Sequence, residues 1–282
     1  MSVLLSDDDI FRLIKEDVPY FDLTTVTLGI GKRSGLISFY TRHKTVICCT
    51  EEVARVFEKC GAVARNFVPS GQRLPASTLI LEAEGPAESL HMAWKVSLNL
   101  LEYTSGIATR TRDLVDAAIS VNPSVSVVTT RKVFPGTKAL AVKAVLAGGG
   151  ELHRLGISET VLVFKQHLAF TGGFSGFIGM IDTLKHRNQE KKIGVEVETE
   201  AEALAVAKAG VDLIQFDKIA APELQRITAT LKAKFPALKI AAAGGITPAN
   251  IKEYADTGVD LLVTTSPYFG KPADIRASMI AI

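Results

Sequence analysis

Residues 127–167 decide the fold, and they read VVTTRKVFPGTKALAVKAVLAGGGELHRLGISETVLVFKQH. An apolar, β-branched run ends at Thr129, a helical pattern covers 139–146 and stops at three glycines, and a second apolar run covers 160–164. This order of strand, helix and strand predicts a parallel βαβ unit. Taken singly, the cations that follow these runs are typical of a charged surface. Their recurrence where parallel strands end indicates an anionic ligand, and they are Arg131, Lys132, Arg154 and Lys165.

The sequence before this stretch predicts a smaller α/β layer. Between 35 and 89 short apolar runs alternate with one helix at 51–59, which indicates a mixed sheet with helices. Helical spacing returns at 87–103, where Trp94 falls on the apolar stripe and is expected in the core. Ser105 precedes a glycine, a pattern typical of a helix cap, so a second helix is expected to begin there.

The sequence after residue 122 repeats a strand and helix rhythm, which predicts a partial barrel. The Gly-rich and Phe-rich segment 171–179 is expected to be a loop over the barrel mouth. We therefore expect an α/β protein with an N-terminal α/β sandwich domain (1–103), a partial, TIM-like α/β barrel (104–271) and a C-terminal tail (272–282). The six expected strands lie near 125–129, 160–164, 193–197, 212–216, 239–242 and 260–264.

Composition excludes several classes of function. The chain has 282 residues, 47% of them hydrophobic, and a net charge of +2, so it lacks the basic surface of a nucleic-acid-binding protein. No apolar run approaches the roughly 20 residues of a membrane span. Three cysteines form neither a disulfide framework nor a zinc pattern, and the start lacks the features of a secretory signal. We expect a cytoplasmic protein that binds small anionic molecules.

Acidic residues at two neighbouring strand ends indicate a metal site. Glu196 and Glu198 alternate along one expected strand and would share a face, while Asp217 ends the next strand. Magnesium is usually held by one or two carboxylates together with substrate oxygens, so Glu196 and Asp217 are candidate Mg²⁺ ligands. The alternative is a salt-bridge network of these two carboxylates with Lys132 or Lys165.

A glycine pair after the fifth expected strand indicates a phosphate site. Gly244 and Gly245 follow Ala243 and let backbone amides approach a ligand closely. In barrels this loop and the loop after the last strand often bind phosphate together. The last loop supplies three hydroxyl groups, from Thr264, Thr265 and Ser266.

The central stretch resembles the quinolinate phosphoribosyltransferase (nicotinate-nucleotide pyrophosphorylase) family, which carries a similar T-R-K, P-G, K, G-G-G and H-R block. The similarity covers nearly the whole chain, and the ending at 263–275 looks most like the ModD branch, whose members are encoded beside molybdate transporters. Further matching residues are Asp22-Leu23-Thr24-Thr25, Leu98-Asn99-Leu100, Ser105-Gly106-Ile107-Ala108-Thr109, Glu196 and Asp217.

The resemblance implies a pyrophosphorylase that transfers a phosphoribosyl group to an acidic N-heterocycle, with Mg²⁺ as cofactor and phosphoribosyl diphosphate as co-substrate. It implies catalytic roles for Lys132, Glu196 and Asp217. It also implies a homodimer or higher homo-oligomer with shared active sites, and a C-terminal tail that returns to the first domain. The substrate-binding residues it suggests are Lys95, Arg131, His153, Arg154 and Lys165.

Departures from the family pattern concern the acceptor. Lys95 replaces an arginine, Phe164 replaces a lysine and leaves Lys165 one residue along, and Ala243 replaces a serine. Each lost charged hydrogen bond to a carboxylate costs about 1–3 kcal/mol, so quinolinate is expected to be a poor substrate. Two other functions fit these residues. One is a catalytically altered anion- or nucleotide-binding protein, related to molybdate, and the other is a Schiff-base aldolase that uses Lys132 or Lys165.

Overall fold

A computed structural model describes residues 5–282. The elements of the first part of the chain are α1 (Asp7–Asp17), α2 (Leu23–Leu28), β1 (Ser34–Thr41), β2 (Thr45–Val46), α3 (Thr50–Lys59), β3 (Val63–Phe67), β4 (Arg73–Leu74), β5 (Leu79–Pro86) and α4 (Ala87–Ile119). Those that follow are β6 (Ser126–Thr129), α5 (Lys138–Ala147), β7 (Glu151–Leu152), β8 (Val161–Val163), α6 (Lys165–Leu168), α7 (Gly173–Arg187), β9 (Ile193–Val197), α8 (Glu200–Ala209), β10 (Leu213–Asp217), α9 (Ala221–Lys234), β11 (Lys239–Ala243), α10 (Ile251–Ala255), β12 (Leu261–Thr264) and β13 (Ile275–Ala281).

Contacts divide the chain into two compact units. The first contains the residues through Arg112 together with Val133–Gly149 and Pro267–Ile282. The second contains Asp113–Lys132 and Gly150–Ser266. The division expected at Tyr103 and Lys271 stays a prediction about domains.

The first unit is built on an antiparallel sheet with the strand order β13-β1-β5-β3. β13 pairs with β1 along its whole length, from Gly35 opposite Ala281 to Thr41 opposite Ile275. Alternation along β1 buries Ile37 and Phe39, which join α3 and α4 in one apolar core. A sheet packed against helices on this core gives the expected α/β layer.

The second unit is a seven-stranded parallel sheet with the order β7-β6-β12-β11-β10-β9-β8. β7 and β8 are consecutive in the chain but occupy the two edges of the sheet, so the barrel is open between them. All the paired strands run in the same direction, and their carboxyl ends therefore lie on one rim. The fold class expected from the sequence, an α/β protein with a partial barrel, is confirmed.

Local capping fixes the chain direction beside this rim. The Thr199 hydroxyl accepts a hydrogen bond from the Glu202 amide at 3.2 Å, and the Glu202 carboxylate accepts one from the Thr199 amide at 3.1 Å. This capping box begins α8 directly after β9. Gly210 ends the helix in the left-handed conformation, with φ +90°.

The helix boundary expected at Ser105 is wrong, because α4 runs unbroken for 33 residues from Ala87 to Ile119. The Thr104 hydroxyl donates to the carbonyls of Leu100, one turn back, and of Cys48, at 2.6 and 3.1 Å. The Ser105 hydroxyl accepts the Cys48 amide at 3.0 Å. These hydroxyl groups therefore bind a neighbouring segment of the first unit and cap no helix.

Two other expectations are also wrong. Trp94 has 39% of its surface exposed, because Ala93 and Ser97 occupy the buried face of α4 instead. The segment 171–179 is not a loop from end to end, since α7 begins at Gly173 and buries Phe177 in the core of the second unit. No helix among residues 5–282 is long and apolar enough to cross a membrane.

Candidate active site

Cross-strand register brings the predicted site residues of the second unit to one rim. Thr129, at the end of β6, is paired with Leu152 on one side and with Thr264 on the other. Asp217 is paired with Ala243 in the same way. The residues at or just after these strand ends are Arg131, Lys132, His153, Arg154, Phe164, Lys165, Glu196, Asp217, Ala243, Gly244, Gly245, Thr264, Thr265 and Ser266.

Glu196 is the central carboxylate of the rim. Its Oε2 atom accepts a hydrogen bond from Nε2 of Gln215 at 2.7 Å. Burial raises the pKa of Glu196 above its ordinary value, and the nearby charges of Asp217 and Glu198 act in the same direction, against the Gln215 hydrogen bond and the Lys132 charge. A raised pKa means that this carboxylate gains from a bound cation.

Glu198 lies just past the end of β9 at Val197, and it lines the same pocket as Glu196, as the alternation along the strand indicates. Its exposed side chain lies 3.4 Å from Nζ of Lys165. Asp217 lies 3.9 Å from Nζ of Lys218. Within residues 5–282 neither Glu196 nor Asp217 forms an ion pair with Lys132 or Lys165, so the alternative salt-bridge network is absent there.

The carboxylates of the rim fit a magnesium ion that is held only partly by the protein. Glu196 and Asp217 supply hard carboxylate oxygens from neighbouring strands, β9 and β10. Among residues 5–282 there is no cluster of three or more His, Cys, Asp or Glu side chains that could enclose a metal. The two carboxylates suit a cation that takes its remaining ligands from substrate and water, as Mg²⁺ usually does.

Arg154 is a buried cation. Only 8% of its surface is exposed, and its guanidinium lies 5.7 Å from the centroid of the Phe164 ring. Within residues 5–282 that guanidinium has no ion pair or hydrogen bond. Burial and then the charge of Arg131 lower its pKa, against the opposing charge of Glu159. A buried charge is costly unless it is paired, so Arg154 and the exposed Arg131 are candidate residues for binding an anion.

His153 lies on a different side of its segment from Arg154. Its side chain lines a cavity of about 210 Å³ that Arg154 and Arg131 do not line. The Nε2 atom is buried and has no hydrogen-bond partner among residues 5–282. Burial followed by the charge of Arg154 lowers the pKa of His153 to about 4. His153 is therefore neutral at pH 7, and the structure does not bring it together with the two arginines.

Phe164 and His167 form an aromatic wall beside Arg154. Their rings are stacked, with centroids 5.9 Å apart and planes at 27°. The Phe164 amide donates to Nδ1 of His167 at 3.0 Å, which fixes the imidazole. Lys165 begins α6, is exposed, and lines a separate pocket of about 290 Å³ together with Glu196. Lys165 therefore does not supply the positive charge that the family has at position 164.

The glycine loop after β11 has the close approach that the sequence indicates. A Cβ atom on Gly244 would lie 2.5 Å from Oδ1 of Asp217 and 2.9 Å from the Lys218 amide nitrogen. Its φ of +86° also favours glycine. Gly245 has a φ of +77°, and apart from Gly245 itself and its chain neighbours no described residue has an atom within 4 Å of the place where its Cβ would be. Backbone at Gly245 is thus open to a ligand.

Thr264 connects the loop after β11 to the loop after β12. Its buried hydroxyl donates to the Ile246 carbonyl at 2.7 Å and accepts from the Ser266 amide at 3.0 Å. These bonds tie the loop after β12 to the loop after β11. Thr265 and Ser266 are partly exposed, so they remain the better candidates for direct phosphate contact.

Two further polar residues are Lys95, which the sequence suggested, and Gln215, which it did not. Lys95 lies on α4 in the first unit, where its side chain is exposed. Gln215 was missed as a site residue, although it is only 5% exposed and orients Glu196. A polar residue between Ile214 and Phe216 in a buried strand was the available signal. The Oε1 atom of Gln215 is buried and has no hydrogen-bond partner in the part of the chain that the structure describes.

Comparison with known proteins agrees with this geometry. Models of the N-terminal and C-terminal domains of quinolinate phosphoribosyl transferase match residues 22–105 and 107–276. A Rhodobacter capsulatus protein named "Putative pyrophosphorylase ModD" is 40% identical over 247 residues, which cover 88% of this chain and 95% of that protein. The carboxylating nicotinate-nucleotide pyrophosphorylase of Rattus norvegicus is 29% identical over 252 residues, or 88% of this chain and 82% of the rat protein.

A solved structure extends the similarity to three dimensions. NadC from Streptococcus pyogenes has a TM-score of 0.90 at 26% identity, over 100% of both chains. The two domain models together match most of the sequence in the expected order. The chain therefore belongs to the quinolinate phosphoribosyl transferase family.

Proposed function

We propose that the protein transfers a phosphoribosyl group from phosphoribosyl diphosphate to the ring nitrogen of an acidic aromatic heterocycle, and releases diphosphate. The observation that carries this proposal is the placement of two carboxylates, Glu196 and Asp217, on one rim with Arg131 and Arg154, which have no ion pair within residues 5–282. A sugar diphosphate with its cation suits the carboxylates. An acidic acceptor suits the arginines.

Each group has a role in this proposal. Glu196 and Asp217 hold the ribose hydroxyls and a Mg²⁺ ion, and Lys132 binds the diphosphate. Backbone amides of Gly244 and Gly245 bind the phosphate at the other end of the ribose. When bound, Mg²⁺ would neutralise charge on the leaving diphosphate.

The chemistry needs no general base. The bond between the anomeric carbon and the diphosphate oxygen breaks, and its electron pair leaves with the diphosphate. The lone pair of the acceptor nitrogen forms the new carbon–nitrogen bond. Fixed charges such as Lys132 stabilise the departing anion without reorganising, which lowers the barrier.

Calorimetry with phosphoribosyl diphosphate and Mg²⁺ tests the donor half of the proposal. The unmodified protein should give binding heat that Glu196→Gln and Asp217→Asn remove. Glu198→Gln is the matched control, because Glu198 lies two residues from Glu196 but is exposed and faces Lys165. Absence of heat at millimolar ligand, or equal loss in the control, would contradict the assignment.

A diphosphate-release assay separates this function from the two alternatives. An anion- or nucleotide-binding protein would bind the donor but release no diphosphate over many turnovers with any heterocyclic acid. The aldolase alternative requires a desolvated lysine, and both Lys132 and Lys165 are exposed. The structure therefore gives that alternative no support.

The assembly is part of the proposal. We propose a cytoplasmic homodimer that shares its active sites, and exposed apolar side chains near the rim support it, including Ile157 and Phe170. Sedimentation at micromolar concentration should show a dimer, and Phe170→Glu should weaken it. A monomer at that concentration would count against shared sites.

A further inference from the structure

A groove of about 740 Å³ begins at the arginines and follows the open edge of the barrel. β8 is an edge strand, and its Val161 amide donates to the Lys192 carbonyl at 3.0 Å at the end away from the rim. The groove lining extends from Arg131 and Arg154 to Asn188 and Lys191. It therefore extends well beyond the anion site.

The walls of this groove are largely apolar. β8 contributes Val161 and Val163, and α7 contributes Phe177, Met180 and Leu184. Phe177 is fully packed and forms a fixed wall, whereas Met180 is 42% exposed and can adapt to a ligand. A carboxylate at Arg154 would thus be joined to an apolar compartment.

Phe164 forms the surface next to the place where a ligand carboxylate would pair with Arg154. Its ring contacts the Arg154 guanidinium on one side of the groove entrance and stacks on His167. A second carboxylate at this place would lose water and meet an aromatic ring, which costs free energy because no donor replaces the water. An aromatic ring at the same place would stack favourably.

We infer that the acceptor is an aromatic monocarboxylic acid with a fused second ring or another apolar extension, and that Phe164 and Met180 determine this specificity. The inference rests on the proposed function for its chemistry. Ligand pockets of roughly 300–1,000 Å³ hold molecules larger than one pyridine ring, and this groove falls in that range.

Affinity measurements with three acids test the inference. Calorimetry compares pyridine-3-carboxylate, quinoline-3-carboxylate and pyridine-2,3-dicarboxylate on the full chain. Quinoline-3-carboxylate should bind about tenfold more tightly than pyridine-3-carboxylate, because the second ring buries additional apolar surface. The dicarboxylate should bind no better than the single-ring monocarboxylate. Equal affinity for the first two acids, or tightest binding of the dicarboxylate, would overturn the inference.

A groove variant and a matched control locate the effect. Met180→Glu should bring the affinity ratio of the two monocarboxylates close to one. Ile119→Glu should leave the ratio at its original value, since Ile119 is equally exposed, at 42%, belongs to the same unit and lies outside the groove. Met180→Gln repeats the test without adding a negative charge. An unchanged ratio in both Met180 variants would overturn the inference.

Diphosphate release distinguishes this inference from the proposed function. A preference for the two-ring acid without any diphosphate release would support the groove assignment and reject phosphoribosyl transfer. Release of diphosphate with the single-ring acid, without any affinity preference for the two-ring acid, would support phosphoribosyl transfer and reject the groove assignment.

Discussion

Replacing Phe164 by lysine should exchange an aromatic wall for a third cation beside Arg131 and Arg154. The ring centroid of Phe164 is 5.7 Å from the Arg154 guanidinium carbon. Loss of the cation–π contact costs about 0.5–2 kcal/mol. An ammonium group at a similar distance adds repulsion of up to about 3 kcal/mol at an effective dielectric constant near 20, before screening by solvent.

The ligand-free Phe164→Lys protein should therefore unfold at a lower temperature than the unmodified one. A dicarboxylate should reverse the effect, because the new ammonium group pairs with its second carboxylate in a charged hydrogen bond of about 1.5–3 kcal/mol. We expect quinolinate to bind roughly tenfold or more tightly to Phe164→Lys, and its turnover to rise.

Phe164→Met is the matched control, since methionine has nearly the length of lysine but no charge. Thermal unfolding with and without quinolinate, followed by a diphosphate-release assay, compares the three proteins. Equal quinolinate affinity in Phe164→Lys and Phe164→Met would refute the charge argument. Efficient quinolinate turnover by the unmodified protein would refute it as well.

Three other predictions concern the arginine site, the buried ion pair of Lys143 with Glu52, and His153. Arg131→Ala should abolish diphosphate release with acidic acceptors while calorimetry still detects binding of phosphoribosyl diphosphate. Loss of that binding would contradict the assignment of Arg131 to the acceptor. In the first unit, Nζ of Lys143 lies 2.6 Å from a carboxylate oxygen of Glu52, which is 2% exposed. Lys143→Met should lower the free energy of unfolding by about 3–5 kcal/mol in urea, and Lys143→Met combined with Glu52→Leu should recover part of it. The pKa of His153 is about 4 in the folded protein, below the ordinary 6.5, so the unfolded chain binds a proton over that interval. The contribution of His153 to the free energy of unfolding should be fully present above pH 6.5 and should fall by up to about 3 kcal/mol toward pH 4. His153→Leu should remove that part of the pH dependence.

The strand ends could be predicted from the sequence because buried parallel strands leave an apolar run that stops at a polar residue. Thr129 and Asp217 mark two such ends, and both lie on the rim as the pattern indicates. The partners of the side chains could not be predicted. Gln215 is 19 residues from Glu196 in the chain, and only the register of β9 and β10 places them together.

The errors arise where tertiary packing overrides a local signal. The sequence around Gly106 is typical of a helix start. In the structure, however, the missing Cβ of Gly106 lets the backbone of Ala273 approach, with 3.0 Å between the Ala273 nitrogen and the place a Cβ would occupy. In α7 the glycines hid a helical period, since Phe174, Phe177 and Ile181 repeat at intervals of three and four residues. In both places the packing of the surrounding residues outweighs the local signal from glycine.

Gly244 has no side chain to contact a ligand, yet it restricts which substitutions the carboxylate rim can accept. Any side chain there would displace the Asp217 carboxylate and the Lys218 backbone, which itself has a positive φ of +60°. A side chain at position 244 would therefore require compensating changes at positions 217 and 218. Acceptor specificity can drift through Phe164 and Met180 while the sugar-diphosphate end of the site stays fixed.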